Sequence, residues 1–281
     1  MTFVLAALIV MIGAAPAAAG PTPTRIVSLA PSVTETVVAL GAGDRLVGIS
    51  GAGSLPPGVA PARIGGWYDL NVEKIVTLSP DLIVGVAEQQ GALARLEKLS
   101  IPTMILDQTG GLDRIVDSVV ALGDRIGEGE RGRVLADRMN RRIASLQAGN
   151  VGVPPRILVV VGKRVATDGV KGLFVAGPAT FYRQLVELAG GVNACATPGA
   201  AFPSVSAEGF ALMAPDLVID IVAQATDLAE TDPAVWDRWR RVTGGDFAVV
   251  VVDGGESLVP GPRILDFAER LAGIVQEWRR R

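Results

Sequence analysis

The chain has 281 residues, 49% hydrophobic and 20% charged, and its 26 basic and 29 acidic side chains leave a net charge of −3. That balance describes an ordered globular protein, and no basic stripe suggests a nucleic-acid ligand. His is absent and Cys195 stands alone, which excludes His-dependent triads, His ligation of metal or haem, intramolecular disulfides and multi-cysteine metal clusters. Cys195 reads as a small packing residue rather than a reactive thiol. At the N-terminus, the apolar run of residues 1–13 precedes Ala17, Ala18 and Ala19. This reads as a secretory signal cleaved after Ala19, although no Lys or Arg precedes the run; an uncleaved anchor helix is the rival.

Strand-like and helix-like segments then alternate. Residues 25–30 (RIVSLA) form an apolar, β-branched strand. Ser32 follows, spaced from Glu35 as in a capping box, and opens a helix that runs to Leu40 and ends at Gly41 and Gly43. Residues 45–50 read as a strand, 72–78 as a short helix, 81–86 as a buried strand, 93–99 as part of a helix and 102–107 as a strand. Residues 111–150 hold two helical stretches. The second, residues 129–147, carries Val134, Leu135, Met139, Ile143 and Leu146 along one face and Arg131, Arg133, Arg138, Arg141 and Arg142 on another. It is an amphipathic helix of roughly 28 Å at 1.5 Å per residue, long enough to link two lobes. Alternation resumes with strands over 156–161, 216–222 and 247–253 and helices over 179–188, 206–213 and 265–280. The expected fold is α/β: two similar three-layer lobes with largely parallel sheets, joined by one long helix. The expected boundaries are a signal peptide over 1–19, an N-terminal lobe over 20–128, the linking helix over 129–150 and a C-terminal lobe over 151–281.

A repeat underlies this division. NVEKIVTLSPDLIV around Glu73 matches SAEGFALMAPDLVI around Glu208, 135 residues on, with Glu73 and Glu208 each seven residues before a Pro. A period this long points to duplication of a domain rather than to a solenoid. Each Glu starts a short surface helix, where a carboxylate suits the helix dipole. Recurrence in both halves also fits two matched contacts with a symmetric partner. Each copy follows a loop aromatic by six residues: Trp67, with Tyr68 beside it, and Phe202. Either these rings tuck into their own lobes or they face each other across a cleft and grip a bulky ligand, at the loop ends where parallel sheets bind. Enzyme signatures fail. GAGDRL at 41–46 lacks the third Gly of a dinucleotide fingerprint and ends a helix instead of opening one; no phosphate loop and no nucleophile elbow is present. A secreted α/β enzyme using carboxylates such as Asp69 or Asp107 is the alternative class.

RIVSLAPSVTE, RLVGIS, NVEKIVTLSPDLIV and GPRI near the end, in that order and spacing, resemble the periplasmic binding proteins of ABC importers. The resemblance is to the class whose two lobes are joined by a single helix and which handles vitamin B12, haem and ferric siderophores. It implies an exported, periplasmic, monomeric, non-catalytic protein with no cofactor or metal of its own, carrying a corrinoid between its lobes. Ser32, Trp67, Tyr68, Phe174, Phe202 and Arg263 are the implied ligand contacts. Glu73 and Glu208 match the two glutamates with which the family docks on a dimeric membrane permease. Departures from the B12 pattern are Gly51-Ala52-Gly53 and Val86, where an aromatic can stand. A ferric siderophore or haem is the alternative ligand. Arg263, Lys163 and Arg164 are the candidate cations for the former, and Tyr68 and Tyr182 the phenols available to the latter.

Overall fold

The computed structural model describes residues 21–51, 55–67, 69–149, 152–166, 169–222, 233–254 and 259–280. The proposed signal segment, Tyr68 and the Ala52-Gly53 part of the loop after the second strand lie outside them. The first half alternates β1 (Ile26–Ser28), α1 (Pro31–Ala39), β2 (Leu46–Ile49), β3 (Ala62–Arg63), α2 (Val72–Thr77), β4 (Leu82–Val86), α3 (Gln90–Glu97) and β5 (Thr103–Leu106). Its strands pair in parallel in the order β3-β2-β1-β4-β5. Helices α4 (Leu112–Arg125) and α5 (Gly129–Ala148) follow. The second half holds β6 (Arg156–Ala166), β7 (Gly169–Val175), α6 (Phe181–Leu188), β8 (Val192–Asn193), β9 (Ser204–Val205), α7 (Ala207–Met213), β10 (Leu217–Val222), α8 (Pro233–Thr243), β11 (Ala248–Asp253) and α9 (Ile264–Arg279). Its sheet runs β11-β10-β6-β7-β9, with β8 beside β6. The β6–β7 and β7–β9 pairs are antiparallel and the others parallel.

The sequence repeat around Glu73 and Glu208 extends to backbone detail. The Asp81 carboxylate accepts from the backbone N–H groups of Thr24 and Arg25, and the Arg25 guanidinium donates to the carbonyls of Leu78 and Ser79. In the second half the Asp216 carboxylate accepts from Arg156 N, and the Arg156 guanidinium donates to the carbonyls of Met213 and Ala214. Ser79 and Ala214, each just before the Pro, both adopt positive φ (45° and 41°). The repeated Pro-Asp is therefore a clasp that ties the end of a short helix to the start of two neighbouring strands. Burial alone would raise the Asp81 carboxyl, but the hydrogen bonds from Thr24 and Arg25 outweigh it and hold the group below its usual range. A depressed carboxylate stabilises above its unfolded pKa and stops doing so as pH falls through the folded value. Asp81→Asn should accordingly flatten the acid limb of the stability–pH curve below about pH 4, read by circular dichroism.

One apolar cluster runs through both sheets, from Ile26, Val37 and Leu82 to Ile157, Leu217 and Ile219, by way of α4, α5 and α9. Helix α5, 20 residues and about 30 Å long, packs Leu135, Ala136 and Met139 into it. Val134, expected on the same stripe, is 52% exposed. Each residue turns the helix by about 100°, and the buried face is centred on Gly132, Leu135 and Met139 instead. Gly132 sets this orientation: a Cβ there would lie 3.3 Å from the Val119 carbonyl of α4.

Side-chain ties bind the halves together. Arg45 bridges from the first sheet to Glu128 at the start of α5 (2.6 Å), and Arg142, further along α5, bonds Asp266 (2.5 Å) and Glu269 (2.7 Å) on α9. Glu35 on α1 accepts from Arg263 N (2.6 Å) and faces its guanidinium (3.2 Å). Leu112 N donates to Gln184 Oε1 on α6 (2.5 Å).

Lys163 and Arg164, expected beyond the end of a strand, lie within β6. Lys163 Nζ meets Asp220 Oδ2 at 2.7 Å with side chains 2% and 1% exposed, and Trp236 Nε1 on α8 donates to the same oxygen at 2.9 Å. Cys195 is buried in this second core cluster with Phe210, Trp236 and Trp239. Removing one partner of a buried pair strands the other charge. Asp220→Ala should cost about 3–5 kcal/mol in urea denaturation, and the double change Lys163→Met/Asp220→Leu should cost far less.

Candidate functional site: a cavity between the two sheets

The strand order of the first, all-parallel sheet reverses between β1 and β4, and loops at the carboxyl ends of strands flanking such a switch form a crevice. Pro31 and Ser32 after β1, Val86 at the end of β4 with Glu88 just beyond it, and Gln108 and Thr109 after β5 line a cavity of about 420 Å³. The opposite wall is Ala179, Thr180, Phe181, Ala201, Phe202, Val259 and Pro260 from the second half, and Trp67 stands on the first-half side. That volume lies in the usual range for small-molecule sites.

Ser32 was expected to cap α1. Ala30 holds the cap position without a side-chain bond, and Pro31 fills the first helical position, where a missing N–H costs nothing. The Ser32 hydroxyl instead donates to Gln108 Oε1 (2.7 Å), Gln108 Nε2 donates to Ser118 Oγ (3.2 Å), and Ser118 donates to the Ile115 carbonyl (2.7 Å). This one-way chain fixes the cavity wall with all its members buried. Phe202 is 48% exposed and meets Tyr182 edge-on at 6.4 Å between centroids. Tyr182 faces the core, also touching Phe267, and burial pushes its phenol well above the ordinary range. It is buried and does not line the cavity, so it offers no axial ligand there.

The cavity lining includes neither Phe174 nor Arg263. Phe174 sits on β7 opposite Gly162 and Ser204, and Arg263 is held by Glu35. Sequence reasoning passed over Glu88, Gln108, Thr109 and Phe181. Their signal was position alone, since each follows a strand or opens a helix beside the crevice.

Asp69 and Asp107, the carboxylates offered for catalysis, are structural acceptors outside the cavity lining. Asp69 Oδ1 takes the Gly66 N–H (2.9 Å), inside a loop where Gly65 at φ 107° leaves no room for a Cβ beside the Asp69 carbonyl. Asp107 Oδ1 takes the Thr109 hydroxyl (2.6 Å) and amide (3.1 Å), bonds that lower its carboxyl pKa.

Glu73 and Glu208 occupy similar local settings. Asn71 caps α2 by accepting from Lys74 N (2.8 Å), and Ser206 caps α7 by accepting from Gly209 N (3.3 Å). Each Glu is the second residue of its helix and is exposed.

Residues 26–223 match the periplasmic binding protein family, and the chain belongs to it. It is a solute-binding protein and not an enzyme. Among curated relatives, the vitamin B12-binding protein of Pectobacterium atrosepticum is 28% identical over 264 residues, covering 91% of this chain and 89% of that one. The vitamin B12-binding protein of Vibrio cholerae is 28% identical, with 88% and 87% covered. The crystal structure of the vitamin B12-binding protein BtuF of Vibrio cholerae is 26% identical, with a TM-score of 0.73 over 92% of this chain and 99% of that one. The apo haem-binding protein RhuT of Roseiflexus is 25% identical, with a TM-score of 0.73 over 90% and 98%.

The half-exposed Phe202 ring presents to the cavity apolar area that truncation removes. Phe202→Ala should weaken binding by roughly 10- to 100-fold, measured by quenching of tryptophan fluorescence, while leaving the thermal midpoint within a few degrees.

Proposed function

We propose that this chain is the periplasmic binding protein of an ABC importer that captures a corrinoid of the vitamin B12 type and hands it to a dimeric permease. The observation that carries the ligand is the cavity: aromatic and apolar on one side, hydrogen-bonding on the other, and without Lys, Arg, His or Tyr among its described lining residues. A corrinoid brings its own axial base and a rim of neutral amides, so it needs neither a protein metal ligand nor a cationic clamp. Haem asks for both an axial ligand and partners for its propionates, and ferric siderophores ask for cations. The family relatives named as vitamin B12-binding proteins support the same choice. The cavity is smaller than a whole corrinoid, so part of the ligand would project from its mouth.

In this role the chain loses a leader over residues 1–19, forms lobes spanning 20–128 and 151–281 around α5, and docks as a monomer through Glu73 and Glu208. Support for docking comes from the side-chain N-caps shared by α2 and α7 and the exposure of both carboxylates. Exposed charges of this kind steer encounter and fix register more than they add affinity. Protein purified from its own host should show a corrinoid absorption band and the matching mass in native mass spectrometry; a Soret band in its place would assign haem. The double variant Glu73→Ala/Glu208→Ala should bind cyanocobalamin as the parent does and lose uptake in a transport assay. Unchanged uptake would remove the docking assignment.

A further inference from the structure

We infer that Glu88 is the specificity-determining residue of the cavity, a carboxylate that selects ligands by charge, taking neutral amide or cationic groups and rejecting carboxylates. This rests on the corrinoid reading above. Among the described lining residues Glu88 is the single charged side chain. It sits in the one-turn helix Ala87–Gln89 immediately after β4, exposed toward the crevice.

The other polar side chains of the wall are already committed. Ser32 donates to Gln108, and Gln108 to Ser118. The Thr109 hydroxyl donates to Asp107 and the Thr180 hydroxyl to the Gly177 carbonyl (2.8 Å). Glu88 and the Trp67 indole N–H are the polar lining groups for which no partner is seen among the described residues. One is a charged acceptor and the other a neutral donor, which are chemically complementary to the N–H and C=O of the amides that rim a corrin ring. An N–H donated to a carboxylate is roughly twice as strong as a neutral hydrogen bond. A ligand carboxylate at the same place meets like charge with no cation in the described lining to offset it, and such juxtaposition discriminates strongly against the wrong partner.

The test compares affinities of three probes by fluorescence titration: singly cationic aquocobalamin, neutral cyanocobalamin, and cyanocobalamin monocarboxylates in which one peripheral amide is hydrolysed. The wild type should prefer cyanocobalamin over at least one monocarboxylate by about tenfold or more, and rank the cationic form at least as high as the neutral one. In Glu88→Gln the amide-over-carboxylate ratio should fall to within about twofold, and in Glu88→Arg it should invert. Equal ratios in wild type and Glu88→Gln, with all probes bound, would overturn the assignment while leaving the corrinoid reading intact. Absence of corrinoid binding by the wild type would instead sink the corrinoid reading. Glu88 is then read with haemin, whose propionates make it the anionic probe: Glu88→Gln should tighten it several-fold, and unchanged affinity would overturn the role of Glu88 as well.

Discussion

The spacing of the two sheets is the constraint on which the rest depends. A cavity whose walls come from different halves keeps its shape only if those halves do not drift. Here a continuous apolar cluster and four polar ties oppose drift. Arg45–Glu128 fixes the start of α5 to the first half, and Arg142 with Asp266 and Glu269 fixes its later turns to the second. Glu35–Arg263 and Leu112–Gln184 cross directly beside the cavity. Gly261 is part of the same arrangement, because a Cβ there would lie 2.7 Å from the Glu35 carboxylate. Several surface ion pairs taken singly contribute little. Placed at the ends of one rigid helix and around one opening, they restrict hinge motion more than they add stability.

The second organising element is the duplicated clasp. Arg25–Asp81 and Arg156–Asp216 do the same work at the same point of each half. They hold a helix that begins with a side-chain cap and an exposed Glu. The positive φ of Ser79 and Ala214 is uncommon for residues with a Cβ, and it recurs at matched sites, where the following Pro disfavours the α region and the clasp holds the carbonyls at the helix exit. A symmetric partner could read two such helices as equivalent because their backbones, and not only their carboxylates, repeat.

Much of this was legible in the sequence because parallel strands buried on both faces announce themselves as short apolar runs. The strands beginning at Ile26, Leu46, Leu82, Thr103, Arg156, Leu217 and Ala248 were all anticipated within a few residues. The antiparallel β7 and β9 and helix α8 were not. Lys163 and Arg164 disguised the continuation of β6, since a Lys inside a strand is tolerable there only because Asp220, 57 residues on, receives it. Helix α8 buries Trp236 and Trp239 but is otherwise crowded with Arg238, Arg240 and Arg241, so its apolar stripe is two rings wide and easily missed. Ser32 failed for a different reason. The local capping rule competed with Pro31 and with Gln108, 76 residues away, and the long-range partner won.

The same distinction separates what was readable at the site from what was not. Loop aromatics beside Gly and Pro are locally conspicuous, and two of them, Trp67 and Phe202, do line the cavity. Polar character depends on which partners are already taken, and that is a property of the folded wall. Gln108 lines the cavity, yet both ends of its amide are bound to Ser32 and Ser118. Arg263 looks like a cation for an anionic ligand, yet it faces Glu35. Once these are discounted, the described wall presents an apolar half, one indole N–H and one carboxylate. A site of that kind discriminates less by attracting charge than by declining to compensate it.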